Sequence, residues 1–206
     1  MPTQLKDGEV LVRMVASGIC HSDFLTTSYP EGSPGIQYPR VAGHEGSGIV
    51  EAVGPGVTKD IRKGDPVLLS FDHCNHCESC REGHPAYCST FMPLNIVGSE
   101  DVFHTEDGKG VGGKHFGQSS FAGLSVVNQA CILPARNLVQ GEDDLKLFAP
   151  LGCGFQTGAG AVLNIAKPEK DDRVMVLGLG GVGLSAIMVC LCPAFSDRIM
   201  WTTTNH

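Results

Sequence analysis

Four cysteines in one short run constrain this chain more than any other feature: Cys74-x2-Cys77-x2-Cys80-x7-Cys88. Four thiolates at this spacing can close a tetrahedron around zinc, and a closed four-sulfur shell is a structural site. The residues between them are polar or small (Asn75, His76, Glu78, Ser79, Arg81, Gly83), as a loop wrapped on a metal requires. The alternatives are a pair of disulfides, free thiols or an iron–sulfur cluster. A cluster usually comes with redox partners, which nothing here implies. With four thiolates completing the shell, His73, His76 and His84 are expected to be exposed loop histidines.

The chain has nine cysteines in 206 residues. An odd number fits a disulfide framework poorly, and the N-terminus MPTQLKDGEV lacks the basic start and apolar core of a signal peptide. A reducing, cytoplasmic setting and metal binding are therefore expected. The net charge of −7 argues against nucleic acid, whose phosphates would repel such a surface. No stretch is long and apolar enough to cross a membrane as a helix. Apolar residues make up 42% of the chain, enough to bury a core, while 27 glycines and 12 prolines imply many turns.

Along the chain, Glu9 to Ala16 partly alternates, as a half-buried strand would. Gly48 to Val53 and Pro66 to Leu69 read as further short strands, with turn signals at Gly54-Pro55-Gly56 and Gly64-Asp65. Short strands with frequent turns suggest a small barrel or sandwich. Gly98 to Gly117 is polar and glycine-rich and reads as loop. After Pro150 the character changes. Gly158 to Ala166 looks helical, Arg173 to Leu177 reads as a buried parallel strand, and Gly183 to Cys192 as an apolar helix ended by Pro193. Arg198 to Trp201 would begin another strand.

Gly178-x-Gly180-x-x-Gly183 lies between that strand and that helix. In this context the glycines permit a tight turn and let the backbone approach a pyrophosphate at the helix N-terminus. The bland reading is a tight turn with no ligand. A third set is dispersed: Cys20-His21-Ser22-Asp23, Gly43-His44-Glu45 and Gly152-Cys153-Gly154. Two thiolates and an imidazole would leave a fourth zinc position open. Singly, Cys153 could be a small core residue and His44 a hydrogen-bonded core histidine.

The segments GEVLVRMVASGICHSD, GHEGSGIVEAVG, GDPVLL, the four-cysteine run, APLGCGFQTGAGAVLN and VMVLGLGGVGLSAIM together resemble the zinc-dependent medium-chain dehydrogenase/reductases, the alcohol dehydrogenase family. His115 to Ala122 (HFGQSSFA) resembles the aryl, or benzyl, alcohol dehydrogenase branch. The resemblance implies a mixed fold: a GroES-like β-barrel catalytic domain over residues 1–150, then the start of a Rossmann domain over 151–206. It implies two zincs per chain. Cys20, His44 and Cys153 would hold the catalytic one, with Glu45 able to approach it, and Cys74, Cys77, Cys80 and Cys88 the structural one. Asp23 would orient His44, and Ser22 would take the alcohol proton. His21 would contact the pyrophosphate of NAD or NADP, Thr157 would line the nicotinamide site, and Gly178, Gly180 and Gly183 would form the cofactor loop. The implied activity is oxidation of a primary, aromatic alcohol to an aldehyde, or the reverse.

Four departures from the family pattern stand out. Leu25 occupies the place where many members carry a relay histidine. No acidic residue follows the glycine loop at the ribose position, where Thr203 stands. The first hairpin and the last Rossmann strands are expected to be missing, so the chain reads as truncated. An incomplete sheet would expose apolar surface and favour self-association. Two other readings are an inactive zinc-binding fragment of this family, and a zinc-ribbon interaction module with a single zinc.

Overall fold

The computed structural model describes residues 4–169 and 172–192. They fall into two compact units that meet at the Gly152–Cys153 peptide bond.

In the first unit, β1 (Glu9–Gly18) leads into the short helix α1 (His21–Thr27), followed by β2 (Glu45–Val53) and β3 (Pro66–Leu69). The loop after β3 carries the one-turn helix α2 (Glu78–Arg81). Then come β4 (Ser99–His104), β5 (Gly110–Gly113), β6 (Leu124–Asn128), β7 (Ile132–Pro134) and α3 (Glu142–Phe148). Five strands form an antiparallel sheet in the order β6-β1-β2-β3-β7. Its two end strands are neighbours in the chain, joined by the turn Gln129–Cys131. Such a link reaches about 14 Å, whereas a flat five-strand sheet would separate its ends by about 19 Å. The sheet therefore has to curl until its ends approach, which makes it a barrel.

The alternation seen in the sequence fills two faces. Val10, Val12, Val50, Val67, Leu69, Val127 and Ile132 form the main core. Leu68, on the opposite face of β3, packs with Ala135 and Leu145 of α3. Because both faces of β3 are covered, its sequence is a continuous apolar run.

The stretch from Gly98 to Gly117 corrects the loop expectation. It contains the β4–β5 hairpin, in which Phe103 pairs with Val111, and a turn of 3-10 helix at His115–Gly117. β4 is largely exposed on both faces, so no alternation marks it.

The second unit contains α4 (Gly154–Gly160), continued by a π-helical turn (Ala161–Ala166), and α5 (Gly181–Cys190). Val162, Ala186 and Cys190 form its buried cluster, with Val174, Val176 and Val189 against it. Among the described residues, Arg173–Leu177 is not a continuous strand: Val174 and Leu177 make single-residue bridges only. Met175 and Leu177 are each 67% exposed, so the expected burial is not observed there. No described layer covers that face. Pro193, the Arg198–Trp201 strand and Thr203 lie outside the described residues.

Candidate metal and cofactor sites

The four-cysteine loop brings its side chains together. The sulfurs of Cys74, Cys77, Cys80 and Cys88 lie within 4.8 Å of one another. Cys77 caps α2 and Cys80 lies inside it, so one helical turn sets their separation. The Cys77 amide donates to Cys74 Sγ at 3.3 Å, and the Cys74 amide to Cys88 Sγ at 3.4 Å. Amide donors from Ser89 and Cys80 pull the Cys77 thiol down to about 5. Desolvation and the neighbouring Cys77 push Cys80 up to about 12. Sulfurs this close cannot all ionise without a cation, and a divalent, thiolate-loving ion is what such a set fits. His76 and His84 are exposed as expected. His73 is not. It is half-buried beside Phe71, with ring centroids 6.1 Å apart.

A second cluster forms where α1 meets the start of β2. The ligand atoms of Cys20, His44 and Glu45 also lie within 4.8 Å of one another. His44 and Glu45 are buried and Cys20 is half-buried. One carboxylate joins the two segments. Asp23 Oδ2 accepts the Cys20 amide at 3.0 Å, and Oδ1 accepts the Gly43 amide at 3.1 Å and lies 2.8 Å from His44 Nδ1. Burial alone would raise the Asp23 pKa, but the His44 hydrogen bond and the Cys20 amide outweigh it and hold the group below its ordinary value. An ionised acceptor makes His44 Nδ1 the donor, which leaves the His44 lone pair on Nε2. A thiolate, an imidazole and a carboxylate are the ligand types zinc takes.

Gln118 to Phe121 hold the His44 segment in place. Gln118 Nε2 donates to the carbonyls of His44 at 2.8 Å and Ser70 at 3.0 Å, and its Oε1 accepts the Gly46 amide at 3.0 Å. The Ser119 hydroxyl donates to Val41 C=O at 2.7 Å, and the amides of Ser120 and Phe121 donate to Gly43 and Ala42. Residues 118–121 thus satisfy the carbonyls of residues 41–44 one after another. Gly43 (φ +95°) permits this approach: a Cβ there would meet the Phe121 amide nitrogen at 2.5 Å and Ser120 Oγ at 2.6 Å. Phe116 stacks on the His44 ring at 4.6 Å and 28°, and buried His115 meets it edge-on at 5.7 Å. The polar run HFGQSSFA was the only signal in the sequence, and a polar run reads equally well as exposed loop.

The other anticipated residues are placed as follows. Ser22 Oγ lies 4.0 Å from Cys20 Sγ, and His21 is exposed at the start of α1. Cys153 opens the second unit, bonded to Gly152, which packs against Leu69 in the first. The Ser70 hydroxyl donates to Gly152 C=O at 3.4 Å. Thr157 is exposed on α4, its hydroxyl donating to Cys153 C=O at 2.8 Å. The glycine motif forms a tight turn into α5, without the continuous strand expected before it. Gly178 takes φ +92°, Gly180 caps α5, and a Cβ on Gly183 would collide with the Gly178 carbonyl.

The profile of the alcohol dehydrogenase GroES-like domain matches residues 6–143. The chain is 43% identical to the geraniol dehydrogenase of Castellaniella defragrans, an alignment covering 97% of this chain and 52% of that one. A probable alcohol dehydrogenase of a Pseudomonas species is 40% identical, covering 84% of this chain and 53% of that one. Among solved structures, an alcohol dehydrogenase zinc-binding domain protein from Burkholderia ambifaria superposes with a TM-score of 0.80 at 38% identity, over 97% of this chain and 52% of that one. The benzyl alcohol dehydrogenase of Acinetobacter calcoaceticus superposes with a TM-score of 0.79 at 37% identity, over 96% and 52%. The chain spans about half the length of the curated relatives it matches. With its barrel topology, its cysteine loop and this match over most of its length, the chain belongs to the alcohol dehydrogenase family through a GroES-like domain.

Proposed function

We propose that this chain is the metal-holding part of a zinc- and nicotinamide-dependent oxidoreductase that interconverts a primary, aromatic alcohol and its aldehyde. The observation that carries the reading is the cluster of half-buried Cys20 with buried His44 and Glu45, Asp23 fixing both the position of Cys20 and the tautomer of His44. Relatives named for geraniol and benzyl alcohol support a primary alcohol, and the benzyl alcohol dehydrogenase supports an aromatic one.

In this reading Cys20, His44 and Cys153 hold the catalytic zinc, with Glu45 in reserve, and Cys74, Cys77, Cys80 and Cys88 hold the structural one. Bound zinc supplies Lewis-acid chemistry and bound NAD or NADP supplies a hydride acceptor. Asp23 keeps the His44 proton on Nδ1 and so keeps Nε2 available as a ligand atom. Ser22, half-buried and next but one to Cys20, takes the proton from the alcohol hydroxyl at its Oγ. Leu25 has no group to carry that proton further, and its side chain is 61% exposed, so water at this surface receives it. His21 and the amides at the start of α5 bind the cofactor pyrophosphate. Thr157 lines the nicotinamide side.

One observation favours a second reading for the chain taken alone. Met175 and Leu177, beside the glycine loop, are two-thirds exposed. An uncovered base for that loop would bind cofactor weakly, leaving a zinc-binding protein that turns over slowly or not at all. Metal analysis combined with NADH titration and a benzyl alcohol oxidation assay tests both readings. Two zincs per chain with turnover that His44→Ala abolishes supports the first. Two zincs without turnover supports the second. A single zinc in folded protein overturns the assignment of the Cys20 and His44 cluster.

A further inference from the structure

The two candidate metal clusters of the first unit are linked by a backbone hydrogen bond at Cys88 and a line of packed rings that ends on His44. Phe91 follows Cys88 closely, and its amide donates to Cys88 C=O at 3.0 Å. The Phe91 ring meets Phe116 edge-on at 6.1 Å and 84°, and Phe116 stacks on His44 at 4.6 Å and 28°. The backbone of Phe91 is itself tied down. Asn95, fully buried, donates from Nδ2 to the carbonyls of Phe91 and Asp72 at 2.9 Å each, and its Oδ1 accepts the Asp72 amide at 2.8 Å. Asp72 lies two residues before Cys74, so Phe91 is anchored at both ends of the cysteine loop.

At the other end, Phe116 holds its ring against His44 from an uncommon backbone conformation. Its φ is +49°, and Lys114 (φ +57°) and Gly117 (φ +69°) on either side are also left-handed. Non-glycine residues rarely adopt this region, and surrounding contacts have to enforce it. Here the Gly117 amide closes the turn on Lys114 C=O at 2.8 Å, and Ser119 Oγ accepts the His115 amide at 3.0 Å. The same turn runs directly into the Gln118–Phe121 segment that grips residues 41–44.

We infer that Phe116 is a positioning residue that couples the cysteine loop to His44, so that order in the loop raises metal affinity at the Cys20–His44 cluster. The inference rests on the proposed metal reading of both clusters. Four thiolates gathered on a metal fix Cys88 and hence Phe91. Phe91 then limits the room available to Phe116, and Phe116 restricts rotation of the His44 ring away from the orientation that Asp23 selects. When the loop is open, the ring of His44 keeps its hydrogen bond but loses one wall.

The test is a Co(II) titration of the metal-free full chain in competition with a chromophoric chelator. Thiolate-to-cobalt absorption separates a four-sulfur site from a mixed sulfur–nitrogen site and yields a dissociation constant for each. In Cys80→Ser the mixed site is expected to weaken by about 5- to 150-fold, the usual span of coupling between sites. Phe91→Leu leaves all four thiolates in place, guards against a Cys80→Ser variant that fails to fold, and should weaken the mixed site as well. Phe116→Leu should weaken it too and should absorb most of the Cys80→Ser effect when the two are combined, as a double-mutant cycle requires of coupled residues. Phe116→Tyr, which keeps the ring, should retain both affinity and coupling. Unchanged mixed-site affinity in Cys80→Ser and Phe91→Leu overturns the coupling, and an undiminished Cys80→Ser effect in the Phe116→Leu background overturns the role of Phe116. Wild-type protein that fills the four-sulfur site but takes no second Co(II) instead overturns the metal reading of Cys20 and His44, and the inference falls with it.

Discussion

Asp23 Oδ1 lies 2.8 Å from His44 Nδ1, and both side chains are almost fully buried. The other oxygen of the same carboxylate accepts the Cys20 amide. One side chain therefore fixes the distance between two residues of the cluster from separate elements and also selects the tautomer of one of them.

Asp23→Asn tests that role. The amide oxygen can still accept from Nδ1 and from the Gly43 amide, but the NH2 that replaces Oδ2 cannot accept the Cys20 amide, and the negative charge beside the imidazole is gone. Zinc affinity at this cluster should fall by about 10- to 100-fold, as for other residues that support a metal ligand. Chelator competition reads the change, and affinity equal to wild type would remove Asp23 from the site.

Cys80→Ser should release one zinc and lower thermal stability, since a structural zinc contributes folding free energy directly. Metal content by mass spectrometry and a melting curve with and without chelator check both halves. A variant that keeps two zincs would show that Cys80 is not a ligand.

Gln118→Leu should be among the most damaging substitutions outside the ligand residues. It keeps the approximate volume but removes the hydrogen bonds to the carbonyls of His44 and Ser70 and from the amide of Gly46. Each buried group left without a partner costs about 1–3 kcal/mol. Urea unfolding should show a clear loss, and metal affinity at His44 should fall with it. A neutral result would mean that water replaces the amide in full.

The Glu9–Lys114 pair predicts a pH dependence. Glu9 is 6% exposed, and Lys114 Nζ lies 2.6 Å from it. Burial raises the Glu9 pKa, but the Lys114 and Lys6 interactions outweigh it and hold the group below its ordinary 4.5. A carboxylate depressed in the folded state contributes stability above its unfolded pKa and loses it as pH falls through the folded value. In Lys114→Met burial stays while two of the lowering interactions are lost, so the Glu9 pKa should rise. The variant should be less stable at neutral pH, by about 1–3 kcal/mol, and the deficit should shrink as the pH is lowered towards 4.5. Urea midpoints at both pH values measure it, and a deficit independent of pH would contradict the pairing.

Features carried by a few adjacent residues were readable from the sequence alone. The gathering of the four cysteines was, because one helical turn at Glu78–Arg81 sets the separation of Cys77 and Cys80. The glycine motif was, because positive φ at Gly178 and close approach at Gly183 are demands that only glycine meets locally. β1, β2 and β3 were, because burying one face leaves an alternation in the chain and burying both leaves a continuous apolar run. The β4–β5 hairpin left no such pattern, since β4 is largely exposed on both faces and β5 is mostly glycine. What only the tertiary structure decided depends on residues far apart in the chain. Curling of the sheet follows from end strands β6 and β7 being joined by a link too short for a flat sheet. The burial of His115 and Gln118 follows from residues 118–121 meeting the carbonyls of residues 41–44. A polar side chain is buried only when partners elsewhere in the chain satisfy it, and in a linear sequence those partners are not adjacent.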